Sequence, residues 1–100
     1  MLHMVVATHG PETCGLAVPQ VGHKLIETAT RLEQVAKDYG CTLEGAWTGR
    51  SNHTMYLLMD GRSAHDVEDV LVELRMVEWD TAAISPVFTL EDGIATLERL

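Results

Sequence analysis

A histidine, a carboxylate and a thiol fall within six residues in Thr8-His9-Gly10-Pro11-Glu12-Thr13-Cys14. Imidazole and thiolate donors favour zinc, nickel, copper or iron over magnesium or calcium. A second histidine, His53, follows the turn Gly49-Arg50-Ser51-Asn52. His9, Cys14 and His53 form the candidate metal set, with Glu12 or His23 as an optional fourth ligand. His-x4-Cys is not an established metal signature, and the chain holds no CxxC or HxxxH. The same residues have other uses. His9 or His53 can act as a general base, since imidazole titrates near neutral pH. Arg50 can hold an anionic group, and Trp47 can wall a small-ligand pocket. Met4, Met55, Met59 and Tyr56 are further candidates for a pocket lining. Cys14, after a Gly-Pro turn, can be a reactive thiol. The structural alternative is strand-end histidines bonded to backbone groups and a small buried cysteine.

These residues need elements to position them. Met4-Val5-Val6-Ala7 makes Leu2–Thr8 a strand that delivers His9, and Gly10-Pro11 ends it. Leu25, Ile26, Ala29, Leu32, Val35, Ala36 and Tyr39 recur at helical spacing, which predicts a helix over 21–39 closed by Gly40. Strands are expected over 41–48 and 53–59, joined by the Gly49–Asn52 turn. Ser63, with Asp66 three residues on, caps a second helix whose stripe is Val67, Val70, Leu71, Leu74 and Val77. A strand over 82–88 follows, then a short tail helix opened by Thr89-Leu90-Glu91-Asp92.

The order βαββαβ predicts an α+β, ferredoxin-like domain with antiparallel strand order 4-1-3-2 and a C-terminal helix. That topology brings the ends of strands one and three together, so His9 and His53 become neighbours. Cys41 falls at the opposite end, which argues against a Cys14–Cys41 pair. The two central strands read as nearly continuous apolar runs. Both sheet faces are therefore expected to be covered, one by helices and the other by a second copy of the chain.

With these features the chain resembles the dimeric α/β-barrel superfamily of ferredoxin-like proteins, and within it small bacterial families of unassigned function. The resemblance rests on His9-Gly10-Pro11-Glu12-Thr13-Cys14, on Val77-Glu78-Trp79-Asp80-Thr81 leading into Ile84-Ser85-Pro86, and on Leu90-Glu91-Asp92-Gly93. It implies a homodimer with facing sheets. The superfamily includes muconolactone isomerases, cofactor-free monooxygenases, haem-degrading enzymes and nickel-binding proteins, and fold alone does not choose among them.

Composition narrows the classes further. One hundred residues with 46% hydrophobic content suit one domain with a core. The net charge of -8 disfavours nucleic acid and anionic membranes, which need Lys and Arg. From Asp60 onward ten acids face Arg62, Arg75 and Arg99, so the second half presents an acidic solvated face. The start of the chain lacks a basic segment followed by a long apolar run, and two cysteines do not indicate a disulfide framework. A cytoplasmic protein with reduced thiols is expected. Three roles remain open: a small-ligand or metal binder, a cofactor-free isomerase or monooxygenase on a small apolar or aromatic substrate, and an accessory subunit.

Overall fold

The computed structural model describes all 100 residues. The elements are β1 (Leu2–Thr8), α1 (Pro19–Asp38), β2 (Thr42–Gly49), β3 (Thr54–Asp60), α2 (Ala64–Glu73), β4 (Thr81–Val87) and α3 (Leu90–Glu98). Single 3-10 turns at Pro11–Thr13 and Met76–Glu78 precede α1 and β4. The four strands form one antiparallel sheet in the order β2-β3-β1-β4. Read from the other edge this is 4-1-3-2, the expected order. The chain is thus an α+β domain compatible with a ferredoxin-like fold.

One face of the sheet carries the core. Val5 and Ala7 of β1 and Met55, Leu57 and Met59 of β3 are buried against Leu32, Val35 and Ala36 of α1. Val67, Val70, Leu71 and Leu74 of α2 complete the layer. The spacings 32/35/36 and 67/70/71/74 are those of a helix presenting one side. Ser63 Oγ accepts from the Asp66 amide at 3.3 Å, so the expected cap of α2 forms. Gly40, at φ +73°, lets α1 end with the Cys41 amide bonded to the Ala36 carbonyl at 2.8 Å. His3 sits in this face as well and is 1% exposed, which its place near the N-terminus did not suggest.

The other face is less covered. Burial alternates along β1 and β3, leaving Leu2, Met4, Val6, Tyr56 and Leu58 half-buried within one chain. α3 is not packed into the core of its own chain. None of its residues is buried, and Leu90 and Leu97 stand out in solvent. The molecule is accordingly long, 51 × 30 × 17 Å.

Three local expectations need correcting. Ile26 and Ala29 are exposed, because α1 packs through a narrower stripe than its apolar spacing suggests. Val77 is exposed as well, because α2 stops at Glu73 and the chain turns through Arg75 at φ +59°. That turn rotates Met76, not Val77, into the core. Strand bounds also move, with β2 and β3 each starting one residue later than expected and β4 one residue earlier. No helix is long and apolar enough to cross a membrane.

Candidate metal centre

Register builds the site. Thr8 pairs with Thr54 on one side and with Thr81 on the other. His9, one step beyond Thr8, therefore lies between His53 and Asp80. Its amide donates to the His53 carbonyl at 3.2 Å. His53 closes the β2–β3 connection in the left-handed region, at φ +51°. Histidine tolerates that conformation better than most residues, and strain of this kind gathers at functional sites. The two imidazoles meet edge to face with centroids 5.3 Å apart.

Cys14 arrives from the loop between β1 and α1. Its carbonyl accepts from the amides of Ala17 and Val18, at 3.0 and 2.8 Å, which coils the chain into Pro19 at the first turn of α1. The loop rests directly on that turn through two glycines. A Cβ on Gly22 would stand 2.7 Å from the Gly15 carbonyl oxygen, and one on Gly15 would stand 3.2 Å from the Gly22 Cα. A side chain at Gly22 would force the loop away, and one at Gly15 would be tight. Cys14 is thereby held 6% exposed over the two histidines.

The donor atoms of His9, Cys14 and His53 lie within 4.8 Å of one another. Donors around one tetrahedral zinc-sized ion are about 3.3–3.8 Å apart. The set therefore needs to contract by about 1 Å, a movement open to the irregular Cys14 loop. Glu12 and His23 do not join the set. Glu12 folds back over Gly10 and borders a different, polar cleft. His23 is exposed.

Asp80 completes the arrangement. Its Oδ1 lies 3.1 Å from His9 Nδ1. The side chains are 1% and 11% exposed. Trp79, 7% exposed, packs against the His9 ring with centroids 6.3 Å apart. With its Nδ1–H donated to Asp80, His9 presents a bare lone pair at Nε2. That atom is buried and has no hydrogen-bond partner, and His53 Nδ1 is in the same state. A buried polar atom without a partner costs about 1–3 kcal/mol. Two such atoms on facing imidazoles beside a thiol are what a cation would satisfy. The carboxylate–imidazole pair is the usual device for orienting a ligating histidine. Burial pushes the Asp80 carboxyl up to about 6, against the opposing pull of the His9 hydrogen bond.

The sequence names Asp80 only within Val77-Glu78-Trp79-Asp80-Thr81 and assigns it no role. The signal was available in the pairing of β1 with β4, because the residue before Thr81 must face the residue after Thr8.

The remaining candidates divide. A cavity of about 320 Å³ is lined by all three donors together with Arg50, Leu16, Leu25 and Ile26. Trp47 is not part of it: opposite Tyr56 in the sheet, it lays its ring over Gly45 on the other face, while an adjoining groove is lined by Leu25, Met55 and Leu57. Met59 is fully buried in the core, while Met4 and Tyr56 belong to the opposite sheet face, so these three do not line the cavity. Cys14 and Cys41 are both free. Cys41 lies at the far end against Gly61, and burial, then Asp66, raises its thiol pKa, which keeps it protonated.

No protein-family model matches this chain, and no curated protein matches it. The functional reading rests on this geometry.

Proposed function

We propose that the protein binds a late first-row transition metal through His9, Cys14 and His53. The observation that carries this reading is His9 itself. One nitrogen is fixed by Asp80, and the other is buried, unpartnered and within reach of the Cys14 sulfur and the His53 ring. A His2Cys donor set suits zinc, nickel, copper or iron. Three protein ligands leave one position of a tetrahedral ion open toward the cavity. That arrangement fits exchange of a small ligand at the metal better than a closed structural site.

A homodimer belongs to the same proposal. Met4, Val6, Tyr56 and Leu58 form a partly covered apolar face on the sheet side away from the helices. A second copy facing it in the manner of a dimeric α/β barrel would bury that surface. The apolar side of α3, outside the core of its own chain, would gain a seat.

A second reading follows from the same pair of residues. Without metal, His9 held by Asp80 beside an apolar cavity is a general base of the kind a cofactor-free isomerase or monooxygenase needs. Cobalt titration separates the two. The metal reading expects a saturable near-ultraviolet thiolate-to-cobalt band that disappears in Cys14→Ala while tetrahedral visible bands weaken in His9→Ala. The base reading expects no such band in the wild type.

A further inference from the structure

Several large apolar side chains outside α3 and the chain ends stand in solvent, Phe88 and Val77 among them. Leu16, Ile26 and Trp47 are 76%, 65% and 56% exposed. Leu16 and Ile26 border the cavity that holds the three donors, whereas Trp47, opposite Tyr56 in the sheet, lays its ring over Gly45 on the other face. That cavity and the groove next to it share the lining residues Leu25 and Thr48, so they adjoin between α1 and the β2 edge of the sheet. The second space holds about 290 Å³ and is walled by Leu25, Ala29, Leu32, Ala46 and Leu57. At its donor end stands Arg50, which makes no ion pair although acids outnumber bases 15 to 7 in the chain. A free guanidinium beside apolar walls recognises one anionic group on an otherwise greasy molecule. A phosphorylated sugar or nucleotide would need more polar partners than these walls supply.

We infer that these adjoining spaces act as one channel that binds a small amphiphilic carboxylate, its head at Arg50 and the open metal position, its apolar tail between Leu25 and Leu57. The inference rests on the metal reading for the second contact to the head group. Arg50 and the tail groove stand independently of it. The combined volume is in the range that takes an organic molecule of moderate size. A tail of several methylenes gains by leaving water, and each buried methylene strengthens binding about threefold to fourfold.

The test is calorimetric titration of zinc-loaded protein with acetate, butyrate, hexanoate and octanoate, with zinc content measured in every sample. Affinity is expected to climb with chain length from butyrate to octanoate. Ala29→Phe fills the groove from an exposed helix position and should cut octanoate affinity at least tenfold with zinc content unchanged. Arg50→Gln should weaken octanoate binding about tenfold and leave octanol binding unaffected. A flat chain-length series overturns the inference, including the case in which a second copy of the chain already fills the groove. Octanoate binding indifferent to both substitutions also overturns it. If zinc does not load, the metal reading falls alone. The same series on metal-free protein then decides the channel, where length-dependent binding weakened by both substitutions upholds it and a flat series sinks it.

Discussion

Asp80 and His9 are 71 residues apart in the chain and 3.1 Å apart in space. The contact joins the start of β4 to the end of β1, and Trp79 shields it from water. It fixes which imidazole nitrogen carries the proton, so it decides whether His9 offers a lone pair to the cavity. Asp80→Asn retains an acceptor but loses the charge that strengthens the ligand. Metal affinity should drop about 10- to 100-fold, and Asp80→Ala should lose more. Competition with a chromophoric chelator measures both. Unchanged affinity in Asp80→Ala would show that the contact is structural only.

The same carboxyl gives the metal-free protein a pH signature. Its folded-state pKa of about 6 lies above the ordinary value of 3.8. Between those values the folded chain binds more protons at this position than the unfolded chain. The contribution of Asp80 therefore makes stability fall as pH rises through this window. Urea unfolding of metal-free wild type and Asp80→Asn from about pH 4 to about pH 7 checks the sign, because the difference in stability should move in favour of the variant as pH rises. A difference independent of pH would contradict the assignment.

Gly22 is predicted to matter to the metal without touching it. Its Cβ-free surface lets the Gly15 carbonyl approach, and Gly15 follows Cys14 directly. Alanine at 22 suits an α-helix by about 1 kcal/mol better than glycine, but it must push the Cys14 loop away. Gly22→Ala should keep its fold by circular dichroism while the thiolate-to-cobalt band weakens or vanishes. A full-strength band would mean that the loop relaxes at no cost to the site.

Much of this arrangement was legible in the sequence. The apolar spacing of β1 and of α2, the Ser63 cap and the Gly40 stop fixed the element order, and topology then placed His9 beside His53. His9 and His53 followed from strand ends, and Cys14 from the loop that leaves β1. What local pattern does not reveal is which apolar residue of a helix actually finds a partner. Ile26, Ala29 and Val77 match helical spacing yet face solvent, because α1 leaves a channel at the sheet edge and a left-handed Arg75 ends the α2 stripe. The burial of His3 is likewise not visible in local pattern. Its alternation with Val5 and Ala7 on the helix-covered face outweighs its nearness to the terminus. Asp80 is legible only by carrying the expected pairing of β1 with β4 one residue past Thr8 and Thr81, a step that no local pattern prompts.

The half-covered sheet face predicts self-association. Leu58→Glu places a charge in the middle of that face, where it would meet the partner's apolar surface. A dimer interface of this kind should bury about 1,000 Å² or more in total. Light scattering is expected to report a dimer for wild type and a monomer for Leu58→Glu, with the cobalt spectrum of the monomer retained. A wild-type monomer at micromolar concentration would remove the dimer from the account.

Metal stoichiometry tests the central claim most directly. Native mass spectrometry with elemental analysis should be run on reduced protein offered zinc, cobalt, nickel and copper in turn. Wild type is expected to retain one ion per chain. Cys14→Ala and His53→Asn are expected to fold and to lose it, asparagine being chosen because it accepts the left-handed backbone at position 53. If wild type retains none of these ions, or if both variants retain them as wild type does, His9, Cys14 and His53 are not a metal centre.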